Sequence, residues 1–192
     1  MTGVPKQSGR DDDNRLVALA LAGDVAAFTA LIKGNENKVY RFILKFLNSS
    51  ADARDLTQET LLQAYLCLAS FNGASRFSTW LIGIALNLAR NHVSRAPKFR
   101  FIEYNEEIMP DTNTLDNPSL KYQQRAMLGE LVCAIQALPA ALRESMLLIG
   151  LEGHSYEEAA QLQNLPLGTV KSQVSRARQL LRQKLALRGL FD

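Results

Sequence analysis

The C-terminal part of the chain contains a segment whose charged side chains change from acidic to basic within a few residues. Its beginning carries Glu157 and Glu158, whereas six Lys or Arg residues and no acid lie between Lys171 and Phe191. Lys and Arg side chains neutralise phosphates and donate hydrogen bonds to base edges. A carboxylate there would be repelled by a polyanion, so the change of sign indicates that the basic stretch binds nucleic acid.

The spacing of this segment predicts two helices joined by a tight turn. Ser155 followed three residues later by Glu158 forms a capping box, which starts a short helix. The prolyl-leucyl-glycyl sequence at 166–168 should break that helix. Thr169 can then cap the next helix, beginning near Val170. This is the helix-turn-helix pattern, in which the second helix enters the DNA major groove.

The second helix is predicted to be amphipathic. Its apolar residues recur at spacings of three and four and form one stripe, namely Val170, Val174, Ala177, Leu181 and Leu185. The opposite face is polar and basic and consists of Lys171, Ser172, Ser175, Arg176, Arg178, Gln179 and Arg182. A face that is merely solvated usually mixes both signs of charge, so this composition favours contact with phosphates.

A second basic segment lies in the N-terminal half. Residues 90–100 hold Arg90, Arg95, Lys98 and Arg100 and no acid. A helix containing Trp80 precedes them, with Phe71 and Phe77 further upstream. Aromatic side chains beside basic ones suit unstacked bases, because every base offers a face for stacking. The alternative for Trp80 alone is an ordinary core position.

The rest of the chain must position these surfaces, and it is predicted to be helical. Strand-like alternation is rare. Residues 14–46 show helical spacing with a break at either 22–24 or 34–37. The segments 48–71 and 76–95 predict two further helices, the second ended by Pro97. Two more, at 124–138 and 139–153, precede the helix-turn-helix.

The stretch from residue 97 to residue 119 has a different character and is interpreted as a linker. It contains prolines and little periodicity, and its acidic residues are Glu103, Glu106, Glu107, Asp111 and Asp116. We therefore predict an all-α fold: a disordered tail at 1–13, two small helical domains at 14–96 and 120–192, and a flexible acidic linker between them.

Enzymatic chemistry finds little support in the sequence. His92 and His154 are isolated, and Cys67 and Cys133 lie outside any CxxC motif. Neither a phosphate-binding glycine loop nor a GxSxG motif occurs. We expect no catalytic residues, metal, cofactor or small-molecule substrate, and we expect both cysteines to be core residues in a reducing cytoplasm.

Two long segments resemble a known family. The stretch DARDLTQETLLQAYLCLASFNGASRFSTWLIGIALNLARNHVSR (52–95) is similar to region two of the bacterial extracytoplasmic-function sigma factors. The stretch LPAALRESMLLIGLEGHSYEEAAQLQNLPLGTVKSQVSRARQLLRQKL (138–185) is similar to their region four. The resemblance extends over about 14–96 and 125–187, and the two matches occur in the family's order.

The resemblance implies a factor that binds core RNA polymerase and directs it to promoters, with region four on −35 duplex and region two on melted −10 DNA. Asp55, Gln58 and Glu59 would bind the β′ clamp helices, and region four would meet the β flap. Contacts with the −10 element are implied for Phe71, Asn72, Phe77, Trp80, Asn87, Arg90, Asn91 and Arg95, with a flipped-base pocket between Phe71 and Phe77. Contacts with the −35 element are implied for Thr169, Lys171, Ser172, Ser175, Arg176 and Arg178.

The family also implies an anti-sigma partner, often membrane-bound, that masks both domains. The protein would then act in the cytoplasm at the nucleoid, or be held at the inner membrane. Many members have Arg at the positions of Asn72 and Gly83, and some have a larger residue at Ser175. These departures leave the preferred −10 and −35 sequences open. The acidic linker could mimic nucleic acid or be a solvated tether.

Two other interpretations account for parts of this sequence. An ordinary helix-turn-helix regulator with a helical sensor domain would bind duplex DNA alone, usually as a dimer. The sequence shows no sustained heptads for a dimer seam. A sigma-like decoy that only sequesters an anti-sigma factor would have no need of basic recognition faces, and this chain has two.

Overall fold

The computed structural model describes residues 8–95 and 129–186, with side chains described from residue 11 onward. Within these ranges all regular structure is helical and no strand occurs, so the expected all-α fold is confirmed. None of the described helices is long and apolar enough to cross a membrane. The predicted acidic linker at 97–119, the basic residues Lys98 and Arg100, and the helix end at Pro97 lie outside the described residues.

The N-terminal half contains four α-helices and one short 3₁₀ turn. They are α1 (Ser8–Leu21), α2 (Val25–Leu47), α3 (Ser50–Leu66), the 3₁₀ turn Leu68–Ser70 and α4 (Phe77–Arg95). Residues 8–13 belong to α1, so the predicted disordered tail is wrong for these residues. The helix predicted over 48–71 ends earlier, because the chain changes to the 3₁₀ turn after Leu66.

Of the two candidate breaks between residues 14 and 46, the one at 22–24 is confirmed. Gly23 has a φ of +97°, which glycine adopts without steric cost. The Asp24 carboxylate accepts hydrogen bonds from Ala26 N at 2.9 Å and Ala27 N at 3.1 Å, and so caps α2. Residues 34–37 lie inside α2, where the buried Asn35 amide donates to Leu31 O at 2.8 Å and leaves the helix unbroken.

The C-terminal half contains the predicted helix-turn-helix and the helices before it. The described part of α5 covers residues 129–136. Then come α6 (Ala140–Met146), which continues into one π-helical stretch (Leu147–Leu151), α7 (Tyr156–Gln163) and α8 (Leu167–Ala186). Pro139 precedes α6 directly, as its missing N–H and fixed φ favour.

Two compact units emerge from the packing. Among the described residues, the first comprises 8–43 and 51–95, and the second comprises 44–50 and 129–186. Fully buried side chains of α2 and α4, such as Phe42 and Phe77, lie in the core of the first. The two cysteines were expected in the core, but both are only half-buried.

Candidate nucleic-acid interface

The helix α7 begins with the capping box that the sequence predicts. Ser155 Oγ accepts a hydrogen bond from Glu158 N at 3.0 Å, and Ser155 N donates to Glu158 Oε2 at 2.9 Å. Glu157 and Glu158 therefore lie in the first turn, where the helix dipole favours negative charge. The helix ends at Asn164, which adopts the left-handed conformation with φ of 53°.

The helix α8 begins about one turn earlier than predicted. Thr169 N and Val170 N donate to Pro166 O at 2.9 and 3.2 Å, so α8 begins at Leu167. Thr169 is thus inside the first turn and does not cap the helix. The prediction was wrong because Asn164, rather than Gly168, supplies the residue with positive φ that ends α7.

The two faces of α8 are confirmed. The five residues of the apolar stripe are between 0% and 6% exposed. All seven members of the polar face are exposed, and Thr169 is half-buried beside them. Ser172 Oγ donates to Thr169 O at 2.8 Å, which leaves the hydroxyl oxygen able to accept a further bond. Lys184 differs from the other bases because its Nζ donates to Ala137 O at 3.2 Å.

Buried polar side chains fix α7 and α8 against α6. The fully buried Ser145 hydroxyl lies 3.0 Å from Gln163 Oε1 and 2.6 Å from Gln173 Oε1. A hydroxyl has one proton to donate, and the Gln163 Nε2 atom is buried without a hydrogen-bond partner. Turning the Gln163 amide over would make it the donor to Ser145. This group was not predicted from the sequence, where its only signal is polar residues at inward-facing helical positions.

The loop between α3 and α4 rests on an aromatic cluster. Phe71 is 8% exposed and Phe77 is fully buried, and their ring centroids lie 5.5 Å apart. Each ring is also 5.5 Å from Trp80, which is half-buried. The predicted contact of Phe71 and Phe77 with bases stays a prediction, and the burial of the two rings does not favour it. The two rings anchor the ends of the loop in the core, and the hydrophobic gain outweighs exposure for stacking.

The outer face of α4 holds the other predicted contacts of this unit. Trp80, Asn87 and Asn91 follow one another at spacings of seven and four, so they share one side of the helix. Asn87, Asn91 and Arg95 are exposed, and Arg90 is half-buried. In the loop before α4, the exposed Asn72 accepts a hydrogen bond from Ala74 N at 3.0 Å.

The helix α3 presents a mixed acidic and apolar face. Asp55, Gln58 and Glu59 are exposed, as a protein-binding role requires. The same side continues into Leu62 and Leu66, which are 58% and 68% exposed. These two leucines were not predicted as part of the surface. They were detectable, because the inward face of α3 holds Leu56 and otherwise small residues, namely Ala53, Thr57, Thr60 and Ala64.

The histidines are less isolated than the sequence suggested. His92 Nε2 lies 3.5 Å from Asp52 Oδ1, and His154 Nδ1 lies 3.8 Å from Glu158 Oε2. Burial lowers the pKa of His154, and the nearby carboxylates of Glu158 and Glu152 oppose this only partly. In the part of the chain that the structure describes, His, Cys, Asp and Glu form no cluster of three that could hold a metal ion.

Comparison with protein families gives matches in both units. The model of Sigma-70 region 2 matches residues 31–98, and that of Sigma-70 region 4 matches residues 128–181. The RNA polymerase sigma-H factor of Pseudomonas aeruginosa is 34% identical over 185 residues, which cover 92% of this chain and 95% of that protein. The ECF RNA polymerase sigma-E factor of Escherichia coli is 33% identical over 180 residues, covering 90% and 94%.

Solved structures give similar matches. The sigma factor RpoE of Bartonella quintana, in complex with the anti-sigma factor NepR, matches with a TM-score of 0.68 at 28% identity, covering 84% of this chain and 98% of that one. CnrH in complex with the cytosolic domain of CnrY matches with a TM-score of 0.68 at 23% identity, covering 92% and 98%. The second likeness concerns the fold alone.

Proposed function

The chain belongs to the extracytoplasmic-function sigma factors of RNA polymerase, and we propose that separate surfaces of its two units read the two elements of a promoter. As a sigma factor it binds core RNA polymerase and directs promoter-specific initiation, and it is not an enzyme. The observation that carries the assignment of surfaces is the exposed, acid-free face of α8 over a buried apolar stripe.

The −35 surface is the polar face of α8. Lys171 and Arg176 are exposed and can bind phosphates or guanine edges; Ser175 can accept or donate at bases, and Ser172, whose proton goes to Thr169 O, can accept. Thr169 and Arg178 flank this set. The buried stripe and the polar contacts of Ser145 hold the helix rigid, which suits a duplex whose groove has a fixed width.

The −10 surface is the loop after Phe71 together with the outer face of α4. Among the residues predicted from the sequence, we assign strand contacts to those whose side chains are exposed or half-buried there, which are Asn72, Trp80, Asn87, Arg90, Asn91 and Arg95. Asn and Arg can hydrogen-bond unpaired base edges, and one face of an indole can stack on a base. Phe71 and Phe77 support the loop from the core and are not assigned a contact.

The polymerase surface is the exposed side of α3. Asp55, Gln58 and Glu59 would bind the β′ clamp helices, and we add Leu62 and Leu66 to this surface because both are largely exposed. A contact that combines hydrogen-bonding groups with exposed leucines is typical of specific protein interfaces. The β flap would be met by the unit that contains α5–α8.

An anti-sigma factor is the regulatory partner that we propose. The support is family membership and the RpoE–NepR complex, in which a similar chain binds such a factor. The protein would act in the cytoplasm on nucleoid DNA, and an anti-sigma factor anchored in the inner membrane would hold it there. The units α1–α4 and α5–α8 would serve as regions two and four, respectively.

The direct test is transcription in vitro with purified core polymerase and sheared genomic DNA of the source organism, with mapping of RNA 5′ ends. New starts that share a −35 and a −10 motif support the proposal. Duplex binding without new starts would instead indicate a free-standing regulator, and neither activity would indicate a decoy.

Variants assign the surfaces in the same assay. Arg176→Ala should reduce transcription from promoters that depend on the −35 motif. Trp80→Ala should reduce strand opening at the −10 motif. Leu66→Ala should reduce the affinity of the chain for core RNA polymerase and leave its contacts with DNA unchanged. Arg41→Ala is the matched control for loss of an exposed positive charge, because Arg41 is exposed on α2 outside the three surfaces. Equal effects of Arg41→Ala and Arg176→Ala would contradict the −35 assignment.

A further inference from the structure

The first helix of the chain contacts the loop that precedes α4. Helix α1 packs against α4 and against the 3₁₀ turn. Gly73, in the middle of the loop, has a φ of +71° and lies directly against the Asn14 amide. A Cβ atom at this position would lie 3.3 Å from Asn14 Oδ1. The backbone conformation and the close approach both favour glycine here.

A second contact joins α1 to the beginning of α4. The Asp13 carboxylate accepts a hydrogen bond from the backbone N–H of Phe77, the first residue of α4. The first N–H groups of a helix have no partner within the helix, so a carboxylate at this place acts as a cap and also interacts favourably with the helix dipole. The positive charges of Arg76 and Lys38 lie close enough to interact with Asp13.

These contacts, together with the two buried rings, hold the loop at four points. Phe71 and Phe77 anchor its ends in the core, Asn14 supports Gly73, and Asp13 caps the helix that follows. The side chains that remain exposed are those of Asn72, Ala74 and Arg76. Thus α1 determines how these three side chains are presented, although it lies some sixty residues away in the sequence.

We propose that Asp13 and Asn14 are positioning residues for recognition of the melted promoter strand. They hold the loop 72–76 in the shape in which Asn72 and Arg76 meet the bases. The inference rests on the proposed function of this loop and α4. It assigns to α1 a role that the charge pattern of the loop does not reveal.

The environment of Asp13 separates this role from a purely structural one. Burial raises the pKa of Asp13 above 3.8 and the neighbouring Asp12 carboxylate adds to this, whereas the charges of Lys38 and Arg76 and the Phe77 N–H oppose it only partly. The ionised carboxylate is therefore held at some cost to the folded state at neutral pH. Replacing Asp13 removes that cost together with the cap, so the stability should change little even where the loop is released.

The experiment uses holoenzyme assembled from full-length chain and core polymerase. Its probe is a fluorescent single-stranded oligonucleotide of the non-template strand of a promoter defined by mapped starts. We expect Asp13→Ala to weaken this binding roughly fivefold, if re-forming the released loop on binding costs about as much free energy as a lost helix cap. Asp13→Asn should restore most of the binding, because its amide oxygen can accept the same hydrogen bond. Asp12→Ala, at an exposed neighbouring carboxylate, should leave binding unchanged.

Two further measurements locate the effect. Binding to −35 duplex and to core polymerase should be the same for the wild type, Asp13→Ala, Asp13→Asn and Asp12→Ala. The profile of binding over single-base changes in the −10 motif should flatten in Asp13→Ala, which a loss of stability alone would not cause. Gly73→Ala should act in the same direction, and its effect should be smaller in combination with Asn14→Ala because the close contact is removed.

The outcomes are distinguishable from failure of the function proposed above. Loss in Asp13→Ala with rescue by Asp13→Asn supports the inference. Wild-type binding and base profile in Asp13→Ala, while Trp80→Ala is impaired, overturns the inference and leaves the −10 assignment intact. Wild-type behaviour of both variants overturns both. If Asp13→Ala does not fold, Gly73→Ala decides in its place: weakened strand binding that Asn14→Ala partly relieves supports the inference, and wild-type binding overturns it.

Discussion

The two DNA-reading surfaces differ in how they are built. The −35 surface is one face of a regular helix, and the residues that support it lie on the same helix or on the two before it. The −10 surface combines a loop with the outer face of α4, and its support comes from buried rings and from α1. A rigid helix suits a duplex groove, whereas unpaired bases require a shaped loop.

The sequence pattern identifies the residues of the −35 surface better than those of the −10 surface. In α8 the polar side chains assigned to DNA and the apolar side chains that pack into the core recur with the helical period. Recognising the apolar stripe in the sequence therefore also identifies the polar face. In the loop 71–77, the aromatic residues that look suited to stacking are the buried ones. The exposed residues there, Asn72 and Arg76, carry little signal by themselves.

The largest effect expected is that of removing a loop anchor. Phe77→Ala should lower the free energy of unfolding of the first unit by about 3–5 kcal/mol, because it deletes a fully buried ring from the core. Urea unfolding measures this, and Phe77→Leu, which leaves a smaller cavity, should cost less. If Phe77→Ala left stability unchanged and abolished strand binding, the ring would be a contact after all, and the contrast between the two surfaces would fail.

The corresponding variant in the second unit, Arg176→Ala, should affect DNA binding and leave folding stability nearly unchanged. Arg176→Ala removes an exposed guanidinium, so stability should change by less than about 0.5 kcal/mol. Affinity for −35 duplex should fall by about 1–3 kcal/mol if Arg176 contacts a base. If Arg176 contacts only a phosphate, the affinity should fall equally for all DNA sequences. The slope of the logarithm of the binding constant against the logarithm of the salt concentration should then decrease in magnitude by about one. Fluorescence anisotropy of the holoenzyme on −35 variants at several salt concentrations measures both.

Much of the architecture was predictable for physical reasons. Helical periodicity identified α2 to α8 in the described residues, and the Ser155–Glu158 capping box was predicted from the spacing of two residues, because capping is local. The start of α8 was predicted too late along the chain. The turn is made by Asn164 in the left-handed conformation, and neither the residue type of Asn164 nor its neighbours require that conformation. The break at 22–24 was one of two alternatives, since Gly34 also suggested one.

What could not be predicted depends on contacts between distant segments. The burial of Phe71 and Phe77 results from packing against Trp80 and the rest of the core, and the same residue types would be exposed in another fold. The support from Asp13 and Asn14 requires α1 to lie beside the loop, and no local pattern indicates this. Even the helical start at Ser8 was hidden, because three successive aspartates are also typical of a solvated tail.

A smaller effect is expected from the cap of α7. Ser155→Ala removes the acceptor for Glu158 N and should lower the free energy of unfolding of the second unit by about 1 kcal/mol. Since α8 packs on α7, affinity for −35 duplex should decrease in proportion, while binding of the −10 strand stays the same. Ser155→Asp preserves a capping oxygen and is the control. An equal loss in Ser155→Asp would show that the hydroxyl does more than cap.

The smallest effect concerns acid, and it has opposite signs in the two units. The pKa of His154 is lowered below 6.5 by burial, so the unfolded chain takes up the proton first as the pH falls. Stability of the second unit is therefore complete above pH 6.5 and decreases as the pH falls through and below this value. The pKa of Asp13 is raised above 3.8, so its contribution favours the first unit at low pH and is lost as the pH rises through the raised value.

Urea unfolding between about pH 7.5 and about pH 5 measures the acid effect, because free histidine titrates there while most carboxylates remain ionised. We expect the midpoint of the second unit to decrease across this range and His154→Gln to reduce the slope, since Gln cannot take up the proton. His92→Gln, in the first unit, is the matched control. A slope unchanged in His154→Gln would assign the acid sensitivity to other groups. The expected contrast with the first unit, where protonation of Asp13 favours the folded state, would then no longer rest on His154.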